Sequence, residues 1–155
     1  MQLFLMRHGE ASFDAPSDRE RMLTHHGRYQ TGQMANLLNN RMSQLDLVLV
    51  SPYLRAQQTW QVVSKHLPKA RKCVVVDDIT PSGDPKMAAE VILAYAQQYK
   101  ADTVLVITHM PIVSFLVSEL VAGVEPPIFA TSAFVQIDKH SEQASFVAMN
   151  YPSAV

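Results

Sequence analysis

The stretch Leu3-Phe4-Leu5-Met6-Arg7-His8-Gly9-Glu10 joins a short apolar run to a group of polar residues. A short apolar run that ends in polar residues is typical of a buried β-strand. This strand ends in Arg7-His8-Gly9, so it carries a guanidinium and an imidazole together to the edge of its sheet. A chance Arg-His-Gly in a chain of this length is a roughly 1% event. The tripeptide becomes informative if the rest of the chain places matching groups at the same edge.

Outward from this strand, apolar runs alternate with stretches of helical periodicity. The apolar runs predict strands over 2–6, 47–50, 73–76 and 103–107. The stretches between them predict helices over 24–42, 51–67, 86–99 and 111–121, and the segments 131–138 and 145–149 alternate as a terminal hairpin does. This order predicts an α/β fold, with one three-layer α/β/α domain over residues 1–155. Its helices would cover both faces of a mostly parallel sheet that has an antiparallel edge.

Local signals refine these elements. Thr24 is predicted to be a helix N-cap, Pro52 to lie in the first turn of the second helix, and Gly123 to stop the fourth helix. Cys73, the only cysteine, excludes an internal disulfide and is predicted to be a small buried strand residue. The side chains predicted to face the core are Tyr29, Met34, Leu37 and Leu38 on the first helix, and Met87, Val91, Ala94 and Tyr95 on the third.

Composition excludes several classes of function. A net charge of −1 over 155 residues gives no electrostatic footprint for nucleic acid or for an anionic membrane. The longest apolar tract, 110–124, is too short and too often interrupted by polar residues to span a bilayer. No His-Glu-x-x-His, no paired cysteines and no glycine-rich phosphate loop occurs, so we expect no metal and no cofactor. We expect a monomer in the reducing environment of the cytoplasm.

The residues that follow the predicted strands form a set. In an open α/β sheet, ligands bind beyond the carboxyl ends of the strands. Arg7 and His8 follow the first strand, Arg55 follows the second, and His109 follows the fourth. We therefore expect two arginines and two histidines at one edge of one sheet.

These side chains have the chemistry that phosphoryl transfer requires. Arg7 and Arg55 supply forked, permanently charged donors for phosphoryl oxygens. His8 is a competent nucleophile at neutral pH, because an ordinary imidazole is then largely unprotonated. His109 suits a donor to the phosphoryl oxygens, and the backbone N–H of Met110, next to a predicted helix, can also bind the anion.

The same motifs resemble the histidine phosphatase superfamily, which has the phosphoglycerate mutase-like fold. The match runs through Arg7-His8-Gly9, Ser51-Pro52…Arg55-Ala56…Thr59 and Thr108-His109. The resemblance implies that His8 is the phosphorylated nucleophile and that Arg7, Arg55 and His109 complete the phosphate pocket.

Secondary motifs extend the resemblance over nearly the whole chain. They are similar to the small bacterial branch of the superfamily, the SixA-type phosphohistidine phosphatases. In that branch, the residue at the position of Arg21 lies near the pocket; the alternative is a loop arginine that pairs with Asp18 or Glu20. The motifs are Arg21-Met22-Leu23-Thr24, Thr80-Pro81-Ser82-Gly83-Asp84 and Pro126-Pro127…Thr131-Ser132-Ala133.

The chain departs from the wider superfamily at the proton donor. Larger relatives carry a glutamate acid after the third strand, and Thr80 occupies that position here. A sugar alkoxide leaving group needs a strong donor, worth about 10²–10⁴ in rate, whereas an imidazole needs less help. The departure favours a P–N bond as the bond that is cleaved. Asp84, Glu10 and Asp14 remain candidates for a substitute acid.

Short connections predict an open, shallow pocket, which admits a side chain of a protein better than it retains a metabolite. The leading hypothesis is therefore a metal-independent hydrolase that dephosphorylates histidine in a signalling or phosphotransfer protein through a covalent phospho-His8 intermediate. Two alternatives stay open. One is a broad small-molecule phosphomonoesterase, and the other is a non-catalytic module that binds phosphoryl groups or docks to proteins.

Overall fold

The short apolar runs form strands of one sheet. The computed structural model describes residues 1–153. The strands are β1 Gln2–Arg7, β2 Leu45–Val50, β3 Ala70–Val75, β4 Thr103–Thr108, β5 Phe134–His140 and β6 Gln143–Asn150. They form a six-stranded sheet in the order β3-β2-β4-β1-β5-β6. Strands β1 to β4 run parallel, and β5 and β6 add the antiparallel hairpin that the sequence predicts.

Helices cover both faces of this sheet: α1 His25–Asn39, α2 Leu54–Val63, α3 Pro85–Gln98 and α4 Ile112–Leu120. Successive side chains of β1 point to opposite faces, as in any strand. Phe4 and Met6 therefore pack with α1 and α2, whereas Leu3 and Leu5 pack with α3 and α4. The predicted three-layer α/β fold is confirmed. Within residues 1–153, no helix is long and apolar enough to cross a membrane.

Side-chain caps begin two of the helices. The Thr24 hydroxyl accepts the backbone N–H of Gly27 at 2.9 Å, which confirms Thr24 as the N-cap of α1. Asp84 caps α3 by accepting the N–H of Lys86, and Pro85 is the first residue of that helix. Gly123 lies beyond α4 at a φ of +81°, a conformation that glycine adopts without strain.

The second helix begins later than predicted. It starts at Leu54 with Tyr53 as its N-cap, so Pro52 lies outside the first turn. Ser51 extends the sheet instead, because its N–H donates to the carbonyl oxygen of Ile107 at 3.1 Å. The chain therefore leaves β2 still hydrogen-bonded to β4, and this holds Ser51 at the carboxyl edge of the sheet.

The predicted inner face of α1 is confirmed for Met34 and Leu38, which are buried, and is wrong for Tyr29 and Leu37. Tyr29 and Leu37 are 66% and 42% exposed. Gly27 packs against the backbone of Glu10 so closely that a Cβ there would clash with the Glu10 carbonyl group. A residue without a side chain allows this approach, and the helix turns the face that carries Gly27, rather than the one that carries Tyr29, toward the core. The buried residues of α1 are Gly27, Thr31, Met34, Ala35 and Leu38.

The same correction applies to α3. Met87 and Ala94 are exposed, whereas Val91 and Tyr95 are partly buried at the margin of the core. Alanine side chains line the inner face and let α3 pack against α4, so the larger apolar residues are displaced to the border. The buried residues of α3 are Ala88, Ala89, Ile92 and Ala96.

Cys73 is exposed, not buried as predicted. It lies on β3, which is the edge strand beside β2. The exposed Arg71 and Lys72 precede it on the same strand. Charged residues on an edge strand oppose pairing with another chain, so this strand is built for the surface although its sequence is partly apolar.

Candidate active site

The carboxyl ends of the central strands bring the predicted site residues together. Arg7 is the last residue of β1, and His8 follows it; Thr108 is the last residue of β4, and His109 follows it. The His8 N–H donates to the Thr108 carbonyl at 3.0 Å, so the pairing of β1 with β4 continues into the site. The imidazole centroids of His8 and His109 are 5.1 Å apart, and Arg55 reaches His8 from the first turn of α2.

Hydrogen bonds at both ring nitrogens define the state of His8. Its Nδ1 lies 2.7 Å from the carbonyl oxygen of Gly9, so Nδ1–H donates there. Its Nε2 accepts from Nε–H of Arg55 at 3.2 Å. Burial is the largest cause that lowers the pKa of His8 to about 3, and the charges of Arg55, Arg7 and Arg21 add to it. At neutral pH, His8 is therefore a neutral imidazole whose lone pair is on Nε2.

The turn after His8 is held from two sides. The N–H of Gly9 donates to Oγ1 of Thr59 at 3.0 Å, and the carbonyl of His8 accepts the N–H of Ser132 at 3.0 Å. A Cβ at position 9 would lie 2.5 Å from Oγ1 of Thr31. Only glycine fits there, which explains why Arg-His is followed by Gly in this chain.

Arg55 uses its whole guanidinium fork. Besides Nε–H to His8, it donates Nη1–H to the backbone carbonyl of Asp18 at 2.7 Å and Nη2–H to the Asp18 carboxylate at 3.3 Å. Its own carbonyl accepts from the Thr59 hydroxyl at 2.7 Å. Thr59 thus ties the backbone of Arg55 to the turn after His8, and Asp18 holds the other end of the guanidinium.

Two buried nitrogen atoms have no hydrogen-bond partner within residues 1–153. They are Nε of Arg7 and Nδ1 of His109. Arg7 is anchored through Nη1–H, which donates to the carbonyl of Phe129 at 2.7 Å. Buried polar groups are almost always hydrogen-bonded, so these two nitrogens stand out as the unsatisfied polar side-chain atoms of the described residues.

His109 is fully buried and anchored at one nitrogen. Its Nε2 lies 2.7 Å from Oγ of Ser51, and the ring of Tyr53 packs edge-on at 5.0 Å. Burial is the largest cause that lowers the pKa of His109 to about 2; the neighbouring His8, Arg55 and Arg7 lower it further. The second imidazole of the site is therefore also neutral.

Arg21 pairs with Asp18, as one of the two predicted alternatives has it, and its place in the phosphate pocket stays a prediction. Its Nη1–H donates to the Asp18 carboxylate at 3.3 Å, and its Nε–H donates to the carbonyl of Ser12 at 3.0 Å. Asp18 is also the partner of Arg55, so one carboxylate joins the two arginines. The Arg21 charge reaches the pocket, because it is among the causes that lower the pKa of both His8 and His109 after burial.

The candidate acids lie in other interactions. Asp84 caps α3, and the Glu10 carboxylate accepts from the Thr24 hydroxyl at 2.8 Å. Asp14 is exposed in the loop after β1. Thr80 begins a turn in which its carbonyl accepts the N–H of Gly83 at 3.1 Å. Within the described chain, no group of three or more His, Cys, Asp or Glu residues is placed to hold a metal ion.

Sequence reasoning did not find the partners that hold these groups. Asp18 was considered only for Arg21, although it also anchors Arg55. Ser51 and Thr59 belong to the motif that carries the family resemblance, which assigns them no function of their own, and no sequence pattern points to Tyr53. Their hydrogen bonds depend on side-chain directions, and only the Ser51-Pro52…Arg55…Thr59 spacing of the resemblance hints at them.

This arrangement, with a neutral imidazole among guanidiniums at the carboxyl edge of a parallel sheet, belongs to a known class of proteins. A family description, "Histidine phosphatase superfamily (branch 1)", matches residues 3–79. The chain belongs to the histidine phosphatase superfamily.

Particular relatives narrow the comparison. The chain is 42% identical over 137 residues to phosphohistidine phosphatase SixA of Escherichia coli K12, covering 88% of this chain and 84% of that protein. It is 34% identical over 147 residues to a SixA homolog of Haemophilus influenzae, covering 88% and 87%. A solved structure of protein histidine phosphatase SixA complexed with tungstate matches with a TM-score of 0.91 at 38% identity, covering 98% of this chain and 97% of that one. The predicted resemblance to the SixA branch is confirmed.

Proposed function

We propose that this chain is a phosphohistidine phosphatase that dephosphorylates another protein through a phosphorylated His8. The observation that carries the proposal is the state of His8: a buried, neutral imidazole with its lone pair on Nε2, held between Arg55 and the Gly9 carbonyl. The similarity to phosphohistidine phosphatase SixA over most of both chains supports the same reaction class.

The first step transfers the phosphoryl group to His8. Nε2 attacks phosphorus, a new N–P bond forms, and the P–N bond of the substrate breaks. Because Nε2 accepts from Arg55 at 3.2 Å, that N–H must turn from Nε2 to a phosphoryl oxygen as the attack begins. Arg7, Arg21 and His109 supply further donors or charge, and the Met110 N–H is a further candidate, since phosphoryl transfer depends mainly on neutralising these oxygens.

The second step regenerates the enzyme. Water attacks phosphorus, the N–P bond to His8 breaks with its electron pair returning to Nε2, and inorganic phosphate leaves. The Gly9 carbonyl keeps the proton of His8 on Nδ1 throughout, so Nε2 is again a free base at the end of the cycle.

The leaving group supports a P–N substrate. A phosphohistidine ring that carries a proton on its second nitrogen departs as neutral imidazole and takes no proton from the enzyme. The position of the glutamate acid of larger relatives is occupied by Thr80, and Glu10 and Asp84 are engaged elsewhere. Sugar phosphates lack this advantage, because their alkoxide needs a proton in the transition state.

Two exposed apolar side chains support a protein as the substrate. Phe13 and Ile128 are 86% and 84% exposed, and we call them the apolar rim. Phe13 packs under the Arg21 guanidinium at 4.1 Å, and Ile128 precedes Phe129, whose carbonyl anchors Arg7. Apolar side chains beside a charged pocket suit a partner surface around the phosphorylated side chain.

Trapping the intermediate tests the covalent step. After incubation with a phosphohistidine protein and denaturation, we expect acid-labile, alkali-stable phosphate on His8 and a loss of at least about 10⁴-fold in turnover for His8→Ala. Full activity of His8→Ala would refute the proposal. Phosphate binding without turnover by the native chain would instead favour the non-catalytic module.

The apolar rim distinguishes a protein substrate from a small molecule. We expect the double variant Phe13→Ala/Ile128→Ala to raise KM about 10-fold on a phosphohistidine protein and to leave hydrolysis of free phosphohistidine unchanged. Tyr29→Ala removes another exposed aromatic ring, on α1, and serves as the matched control. Equal loss on both substrates, or faster turnover of sugar phosphates than of phosphohistidine, would favour the small-molecule phosphomonoesterase.

The proposal also includes the setting of the protein. We propose one domain over residues 1–155, a monomer, and a cytoplasmic location, where the exposed thiol of Cys73 stays reduced. A signalling or phosphotransfer protein is the proposed partner. Light scattering of the purified protein tests the monomer.

A further inference from the structure

The two nitrogens of His109 have contrasting surroundings. The ring is buried beside His8, Ser51 and Tyr53. Its Nε2 contacts Oγ of Ser51 at 2.7 Å, whereas Nδ1 has no partner within the described residues. A neutral imidazole carries one proton, and the group at Nε2 decides which nitrogen holds it.

Ser51 is fixed on several sides. Its N–H donates to the Ile107 carbonyl at 3.1 Å, and its carbonyl accepts from the Gln57 amide at 2.8 Å. Its Oγ accepts the backbone N–H of Tyr53 at 3.3 Å. A hydroxyl has one proton and two lone pairs, and the Tyr53 N–H takes one of the lone pairs. The hydroxyl proton remains available to donate to Nε2 of His109.

We propose that Ser51 is a positioning residue that holds His109 as the Nδ1–H tautomer, so that a neutral imidazole presents its N–H to the phosphoryl oxygens. The catalytic consequence rests on the proposed function; the tautomer itself does not. If the proton were on Nε2, the lone pair of Nδ1 would face the anion and repel it.

The two histidines then use the same ring in opposite senses. At His8, the Gly9 carbonyl holds the proton on Nδ1 and leaves the Nε2 lone pair for attack. At His109, the Ser51 hydroxyl occupies the Nε2 lone pair and leaves Nδ1–H as a donor. Burial keeps the pKa of both rings low, so neither function requires an imidazolium among the arginines.

The tautomer is measured without any substrate. We expect ¹⁵N–¹H correlation spectra of the native protein at neutral pH to show His109 protonated at Nδ1 and unprotonated at Nε2, with the signals assigned by their loss in His109→Gln. In Ser51→Ala, the proton should move toward Nε2. An Nε2–H tautomer in the native protein, or an unchanged ratio in Ser51→Ala, would overturn the inference.

Binding of inorganic phosphate links the tautomer to the pocket. We expect Ser51→Ala to weaken phosphate binding about 10-fold and to slow phosphorylation of His8 about 10²-fold. Ser51→Thr, which retains a hydroxyl, should recover most of both. Ser118 lies on α4, and its hydroxyl donates to the Val124 carbonyl at 2.8 Å. The variant Ser118→Ala therefore controls for the loss of a serine hydroxyl away from the site.

A double-mutant cycle separates a direct effect from an indirect one. If Ser51 acts through His109, its removal should change phosphate binding by less than about twofold in the His109→Gln background. Full loss in both backgrounds would overturn the positioning function, and so would a moved tautomer with unchanged phosphate binding. If Ser51→Ala unfolds, Ser51→Cys, a weaker donor of similar shape, gives an intermediate tautomer ratio under this proposal. Failure of the native protein to hydrolyse phosphohistidine would refute the proposed function and leave the tautomer result standing.

Discussion

At the carboxyl ends of β1, β2 and β4, buried polar side chains bond to one another and to the backbone of the turns around them. At the amino ends of the same strands, the polar groups lie near the surface and bond mainly to backbone. His8, Arg55 and Thr59 belong to the first group and are at most a few per cent exposed. Asp46 belongs to the second: its carboxylate accepts the N–H groups of Asp102 and Thr103 at 2.8 and 3.0 Å.

The surface depression described next and the buried histidines and arginines lie at opposite ends of the sheet. A depression of about 670 Å³ lies at the amino end, lined by residues that include Met1, Lys100 and Lys139. It carries no buried histidine or arginine. The site at the other end is marked instead by buried polar groups that fix one another in place, so volume alone is a poor guide to function here.

The largest expected difference between the two ends is in catalysis. We expect Arg55→Ala to lower kcat/KM on a phosphohistidine protein by about 10³-fold, because the fork touches His8 and would contact the phosphoryl group. Arg55→Lys should recover little of the activity, since a single ammonium group cannot donate hydrogen bonds to His8 and to Asp18 in the geometry of the guanidinium fork. Arg71→Ala removes an exposed cation near Asp46 at the amino end and should have less than about a twofold effect. Equal losses of kcat/KM in Arg55→Ala and Arg71→Ala would contradict the difference between the two ends.

Acid should lower the free energy of unfolding through the two buried histidines at the carboxyl end. The unfolded pKa of a histidine is about 6.5, and burial lowers that of His8 to about 3 and that of His109 to about 2. Below pH 6.5 the unfolded chain therefore binds more protons than the folded one. The free energy of unfolding is at its full value above that pH and falls as the pH drops, by at most about 1.4 kcal/mol per pH unit for each histidine.

Urea unfolding between pH 7.5 and 5 measures this slope. His8→Asn places a residue that does not titrate at one of the two positions, so its stability should depend less steeply on pH than that of the native protein. A native free energy of unfolding that stays flat over this range would show that the buried histidines are not held neutral.

A threonine pair compares the two ends in packing. Thr59→Val deletes the hydroxyl that accepts from the Gly9 N–H and donates to the Arg55 carbonyl. Leaving a buried N–H unpaired costs about 1–3 kcal/mol. Thr103→Val makes the same isosteric change at the amino end and should cost less than about 0.5 kcal/mol. Chemical denaturation of both variants checks the difference, which should also appear as lower activity for Thr59→Val alone.

Much of this geometry could be predicted because it follows from topology. An apolar strand that ends in Arg7-His8, with parallel neighbours that end near Arg55 and His109, brings these residues to one edge whatever the details of packing. The order of strands and helices is a pattern of period two and period 3.6, and both patterns are visible in the sequence. The antiparallel hairpin at the end of the chain followed in the same way.

The predictions of side-chain burial that were wrong depend on how closely helices and strands pack in three dimensions. Tyr29 is apolar enough to suggest a core position, but Gly27 packs closely on Glu10, and α1 turns the face that carries Gly27 inward and leaves Tyr29 exposed. Cys73 lies in an apolar run, yet the position of β3 at the sheet edge exposes it. Strand order and helix rotation are properties of the whole fold, and no local pattern encodes them.

The hydrogen-bond partners of the site residues could not be predicted from the sequence for a related reason. Sequence spacing puts Ser51 near His109, but whether its hydroxyl meets Nε2 depends on an angle and a distance of 2.7 Å. Asp18 begins a short 3-10 helix, Asp18–Glu20, in which every residue is charged, and only the fold selects it as the carboxylate shared by Arg21 and Arg55.

The smallest effect is expected at the amino end itself. Asp46→Asn retains one acceptor oxygen for the N–H groups of Asp102 and Thr103 and loses the charge and the second oxygen, which pairs with the exposed Arg71. We therefore expect a loss of stability of at most about 1 kcal/mol. Activity should stay within about twofold of native, because Asp46 only accepts backbone N–H groups at the start of β4. Thermal unfolding and a phosphohistidine assay measure the two quantities. A large loss of activity with little loss of stability would mean that the amino end communicates with the site, and the contrast between the two ends would then fail.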